Sequence, residues 1–186
     1  AEAVIVALRR WNIFVDDSAG TPLSQCAAGG FLQLLANALA AEFAPVPLLA
    51  LLKHPLAAGG MAPADFRINL SAIERAVLRG HRPASGLEGL IASLSKKQDL
   101  QDFVRYHLLA PLHVVIDIWQ GGAPALSALA AALALAAEQL AAQCLLPDGS
   151  CDAEDGAQRL WSGFDGQAAA EVMRDLSQHT SDIGID

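Results

Sequence analysis

The segment from Pro124 to Leu146 limits the folds open to this chain more than any other stretch. It is apolar on almost every side, and Glu138 is its only charge. Leucines recur every seven residues at Leu126, Leu133 and Leu140, which favours a helix enclosed by other helices. Its length would allow a membrane span, but alanine is weakly apolar and a glutamate is costly in lipid. We therefore predict a buried helix of a helical bundle rather than a membrane segment.

The rest of the chain shows helical periodicity between proline and glycine breaks. Ser24 is a good N-cap, so a long helix is expected to begin near it and to end at Pro45 and Pro47. Pro47 suits the first turn of a second helix, which Pro55 stops. Further helices are predicted over residues 1–11, 63–79, 87–94, 98–120 with a break at Pro111, 153–161 and 166–177.

Residues 13–15 are strand-prone but too few for more than a short strand, and the following Asp16-Asp17-Ser18 has turn chemistry. The predicted fold class is therefore all-α, a multi-helix bundle with at most a short N-terminal strand. Hydrophobic residues make up 53% of the chain and charged residues 17%. The hydrophobic content is high and the charged content is low for a free-standing domain. The chain also opens inside a helix-like pattern and stops without a tail. We therefore expect a piece of a longer protein, whose apolar faces pack on the remainder.

No catalytic motif is recognisable in the sequence. It holds no phosphate-binding glycine loop, no dinucleotide fingerprint, no H-E-x-x-H and no C-x-x-C pair. The three cysteines show no metal-like spacing, and a thiol pair is favoured for Cys144 and Cys151 over a disulfide or cluster ligand. The net charge of -8 argues against tight nucleic-acid binding by the isolated chain through bulk electrostatics. We predict no catalytic residue, metal or cofactor here.

A basic stripe is the best candidate for a functional surface. Arginines on one helical face can meet the phosphates of a duplex or the carboxylates of a partner, although a solvated face is the alternative. Lys96 and Lys97 would extend the stripe if the fold brings them close. The residues of the stripe are Arg67, Arg75, Arg79, His81 and Arg82, with Ser71 in the same row.

Three weaker candidates have structural interpretations that we favour. Asp16-Asp17-Ser18 has the ligand types for a divalent cation but fits a turn better. His107 lies on an apolar face, where a hydrogen-bonded core histidine is the commoner situation. His113 and Asp117 are spaced for a hydrogen bond along a helix, without a nucleophile in register.

Four segments resemble the AddB family of bacterial double-strand-break repair proteins in its alphaproteobacterial form. They are LRRWNIFVDDSAGTPLSQ at 8–25, FAPVPLLALLKHPLAAGG at 43–60, IERAVLRGHRPASGLEGL at 73–90 and GAQRLWSGFDGQAAAEVM at 156–173. The chain departs from the family at Asn12, usually glycine there, and at Thr21 and Cys26. AddB is one subunit of the AddAB helicase–nuclease.

The resemblance implies that residues 1–23 are the edge of a RecA-like domain and that residues 24–186 resemble the inserted 2B domain of superfamily 1 helicases. In the family this region has no working ATP motor. It scaffolds the AddA subunit and lines channels for DNA, including recognition of the Chi sequence. The nuclease carboxylates and cluster cysteines belong to another region, so no catalytic or metal residue is carried over.

The expectation is thus a non-catalytic, cytoplasmic fragment that contacts an AddA-like subunit or duplex DNA within the full complex. The competing hypothesis is a free-standing helical adaptor that buries a partner helix in a groove of alanines and leucines. A small helical enzyme is a third class, for which the sequence holds no motif.

Overall fold

The computed structural model of this protein describes residues 10–11, 22–78, 83–84, 86–144 and 153–179. Most of these residues are helical and none lies in a strand, which confirms the predicted all-α, multi-helix fold. Nearly all of the predicted N-terminal helix lies outside the described residues, as do the strand over 13–15 and the Asp16-Asp17-Ser18 turn.

The helices follow the predicted periodicity closely, and two of them are extended by π-helical turns. The π turn Glu74–Leu78 continues α3, and the π turn Arg105–Leu109 joins α5 to α6. In chain order the helices are α1 (Ala27–Ala40), α2 (Pro45–Leu52), α3 (Pro63–Ile73), α4 (Gly86–Ser93), α5 (Gln98–Val104), α6 (Ala110–Gln120), α7 (Leu126–Ala141), α8 (Ala153–Leu160) and α9 (Gly163–His179).

The alanine-rich helix α7 is the centre of the bundle. It contacts α1, α6, α8 and α9 and buries Leu129 and Leu140, while Leu135 keeps part of one side exposed. Small side chains let its neighbours approach closely: a Cβ at Gly156 of α8 would overlap the backbone carbonyl of Glu138. Within the described ranges, no helix has the length and apolar character needed to cross a membrane.

Distant parts of the chain cap the C-terminal end of α7. The backbone amides of Ala58 and Gly59 donate to the Leu140 carbonyl at 3.0 and 2.9 Å, and the Gly60 amide donates to the Ala142 carbonyl at 2.7 Å. The last carbonyls of a helix have no partner within it, so these bonds satisfy groups that would otherwise be orphaned. The loop between α2 and α3 is thereby fixed to the central helix.

Two boundaries of α1 differ from the sequence-based prediction. The predicted N-cap, Ser24, lies instead in a 3-10 turn over Leu23–Gln25, and the helix begins after Cys26, which makes no side-chain capping bond. The end of the helix was also predicted wrongly, because α1 stops at Ala40 and Pro45 is the first residue of α2.

The predicted interruption at Pro111 takes the form of the π turn that directly precedes it. Proline has no amide hydrogen to donate to the carbonyl four residues earlier, which here belongs to His107. The His107 ring donates through Nδ1 to the Gly59 carbonyl at 2.7 Å and lies 5.7 Å from the Phe103 ring. His107 is thus partly buried and hydrogen-bonded, as its apolar setting predicted.

Candidate nucleic-acid interface

The part of the basic stripe that the structure describes lies on α3 and its π extension. Arg67 and Arg75 are both solvent-exposed and lie about two helical turns apart, or about 12 Å along the axis. Among the described residues, neither guanidinium has an ion pair. Arg79, His81 and Arg82 lie outside the described residues, so the stripe is placed only over its first half.

The fold adds two residues that the sequence pattern did not bring to this surface. The end of α2 carries Lys53 and His54 to the side of α3, where they and Arg67 line a shallow pocket of about 210 Å³. Ser71 supplies a hydroxyl to the same pocket, one turn along α3 from Arg67. The remaining lining residues are the apolar Leu52, Ala57 and Leu70.

The charge of Lys53 is partly balanced within the fold. Its Nζ lies 2.9 Å from Oε2 of Glu74, at the start of the π turn. The ammonium remains largely open to solvent, because the Lys53 side chain is 54% exposed. The Glu74 side chain is only 20% exposed, so the pair is partly buried and any anion that binds Lys53 competes with Glu74.

His54 is held as a neutral ring at the edge of the pocket. Its Nδ1 accepts a hydrogen bond from the Leu56 amide at 3.3 Å, and its ring packs 5.1 Å from that of Phe31. Burial lowers the pKa of His54 below its ordinary value. With Nδ1 accepting, the proton of the neutral ring is on Nε2, which makes this histidine a hydrogen-bond donor without charge.

The surface that combines these groups, Lys53, His54, Arg67, Ser71 and Arg75, is called the α2–α3 basic surface below. It presents three cations, a hydroxyl and an imidazole donor, which are the groups that contact phosphate oxygens in protein–DNA complexes. Only the residues of α3 and its π extension could be found from the sequence, because Lys53 and His54 join them through the turn that follows α2.

None of the remaining candidates lines the pocket that Lys53, His54 and Arg67 share. His113 donates through Nδ1 to the Ala110 carbonyl at 2.6 Å, and both His113 and Asp117 are exposed. Lys96 and Lys97 are exposed in the connection between α4 and α5. Cys144 is buried, and Cys151 lies outside the described residues. No group of three or more potential metal ligands occurs in the part of the chain that the structure describes.

Comparisons of the chain with protein-family models, with curated proteins and with solved structures found no match.

Proposed function

We propose that this chain is a non-catalytic helical part of an AddB-like helicase–nuclease subunit, and that its α2–α3 basic surface contacts the phosphates of duplex DNA in the complex. One observation carries the DNA contact. The fold brings Lys53 and His54, in the turn that follows α2, beside Arg67 and Ser71 of α3, so that donors from two separate segments line one pocket.

The charges of the surface suit a supporting contact rather than an autonomous DNA-binding site. Two exposed guanidinium groups and one ammonium neutralise few phosphates, and the chain as a whole carries a net charge of -8. Phosphate contacts of this kind position a protein on the duplex without reading its sequence. The surface is therefore expected to act only when other subunits hold the DNA against it.

The test is charge reversal in the assembled complex. The double variant Arg67→Glu and Arg75→Glu should weaken duplex binding and lower the slope of log affinity against log salt by about 2, since each phosphate contact contributes about 0.9. Fluorescence anisotropy with a short labelled duplex at several salt concentrations measures both quantities. Arg174→Glu, at an exposed residue of α9, is the matched control and should leave both unchanged.

An unchanged salt slope in the double variant, with the complex intact, would refute the DNA contact. The same variant also distinguishes a DNA contact from a subunit contact. If the surface contacts the AddA-like partner instead, the variant should dissociate that partner from the complex even when no DNA is present. The isolated chain is expected to bind short duplex weakly and to show no ATPase or nuclease activity.

A free-standing helical adaptor is the second candidate, and a specific groove favours it. A pocket of about 280 Å³ lies between α1, α7 and α9, with an almost wholly apolar lining that includes Leu32, Leu133 and Val172. Val172 is 45% exposed. An adaptor would bind its partner through this groove in the isolated chain with little salt dependence, and Leu133→Lys would abolish that binding.

A further inference from the structure

A second pocket, on a different face, combines an apolar floor with acidic residues. It has a volume of about 430 Å³ and lies between the α1–α2 turn, the start of α4 and the second half of α6. This volume is in the range of small-ligand sites. Its apolar lining includes Leu39, Phe43 and Ile116. The side chains of Trp119, Glu42 and Glu88 also line it. Among the residues that the structure describes, ten line the pocket and none of these is basic.

Glu42 occupies a backbone position that ordinarily belongs to glycine. The Phe43 amide donates to the Ala38 carbonyl at 2.7 Å, and the Glu42 amide donates to the Leu39 carbonyl at 2.9 Å. These two bonds form a Schellman motif, whose C′ residue is left-handed and is most often glycine. Here that residue is Glu42, with φ of 49°, and Phe43 follows at 51°.

The left-handed turn has two consequences for the pocket. It directs Phe43 into the core, where the side chain is only 6% exposed. It also lets the Glu42 carbonyl accept a hydrogen bond from the Gly86 amide at 3.0 Å, which ties the end of α1 to the start of α4. Glu42 and Glu88, distant in sequence, are thereby held at one pocket.

We propose that this pocket binds the side chain of an arginine or a lysine presented by a peptide segment of a partner protein. The two carboxylates supply charge complementarity, and a guanidinium makes strong charge-assisted hydrogen bonds to such groups. The aliphatic stem of the side chain packs on the apolar floor, and the Trp119 ring favours a nearby cation. Glu42 and Glu88 are both exposed and form an open rim, so the peptide backbone stays outside while the side chain enters.

The experiment uses the whole chain and a pair of capped five-residue peptides, Ala-Ala-Arg-Ala-Ala and the same peptide with neutral citrulline in place of arginine. Binding is followed by two-dimensional NMR on the Gly86 amide and the Trp119 indole. The arginine peptide should shift both signals and the citrulline peptide neither. Glu42→Gln and Glu88→Gln should each weaken binding about two- to fivefold, the loss expected for one exposed ion pair.

Three controls make the result decisive. Glu171→Gln removes the same charge from an exposed residue of α9 and should leave affinity unchanged. An equal loss there would mean that only net charge matters, which would contradict the proposal. Propylguanidine, which is the arginine side chain without a peptide and carries the same single charge, should bind more weakly than the peptide, and equal binding would contradict recognition of a peptide segment. Equal binding of the citrulline peptide would overturn the charge recognition.

Glu42→Asn separates binding from folding. Asparagine tolerates the left-handed region better than glutamate and lacks the carboxylate. The variant should therefore raise the Tm while losing the arginine peptide, two changes of opposite sign that misfolding cannot produce. Retained peptide binding in Glu42→Asn, with the signals of Gly86 still shifting, would show that Glu42 is not part of the site.

Discussion

Replacing Arg159 with methionine is expected to lower the free energy of unfolding by about 2–3 kcal/mol. Arg159 reaches across from α8 to the C-terminal end of α7, where its guanidinium donates to the Ala141 carbonyl and, at 3.4 Å, to the Leu56 carbonyl. Methionine keeps most of the aliphatic packing and removes the donors and the charge. The substitution therefore measures what the capping hydrogen bonds and the positive charge of Arg159 contribute to stability.

The magnitude follows from the bonds that are lost. A hydrogen bond from a charged donor contributes about 1.5–3 kcal/mol, and a cation at a helix C-terminus adds about 0.3–1 kcal/mol. The bond to Leu56 is long and Arg159 is only partly buried, so the lower half of the summed range applies. Burial lowers the pKa of Arg159 while Asp155 opposes that shift, and the guanidinium stays charged at neutral pH.

Thermal and urea unfolding measure the effect. For a chain of this size, the loss corresponds to a fall in Tm of about 4–12 °C. Arg174 is an exposed residue of α9, so Arg174→Met removes the same guanidinium from the surface instead of from the end of α7. This control should change stability by less than about 0.5 kcal/mol. Arg159→Lys keeps the charge and should recover part of the loss. If Arg159→Met has the same Tm as the Arg174→Met control, the Arg159 guanidinium does not cap α7.

Two further perturbations test the fold at the central helix and at the basic surface. Gly156→Ala should destabilise the chain by more than about 2 kcal/mol in urea unfolding, because the new Cβ meets the backbone carbonyl of Glu138, which cannot rotate aside. His54 has a lowered pKa, so the unfolded chain binds its proton first as the pH falls. Stability should therefore decrease as the pH drops through about 6.5, the pKa of an unfolded histidine, and His54→Phe should remove that part of the dependence.

Helical periodicity identified the elements of this fold because each described helix buries an apolar stripe against the others. The boundaries of α1 were harder to predict from the sequence, because tertiary contacts determine them. A Cβ at Gly29 would overlap the Leu23 carbonyl, so the 3-10 turn and the first turn of α1 are fitted to one another. That close packing outweighs the capping preference of Ser24. The sequence shows the capping preference but not the packing.

The candidate surface was predictable only where its residues share one helix. The spacing along α3 identifies Arg67 and Arg75, because residues four and eight apart share a face. Lys53 and His54 carry no such signal, since their place beside α3 depends on the turn that follows α2. The acidic pocket was equally hidden: its carboxylates come from the end of α1 and the start of α4, and Glu42 stands where a sequence pattern expects glycine.

The two unusual helix ends point to different uses of polar groups. At α7, Arg159 satisfies a carbonyl that nothing else in the helix reaches, so the residue stabilises the fold directly. At α1, the backbone already satisfies the carbonyls of Ala38 and Leu39, and a side chain at the left-handed position costs about 1 kcal/mol. Glu42→Gly should accordingly raise the Tm. A lower Tm would mean that the Glu42 side chain itself holds the turn.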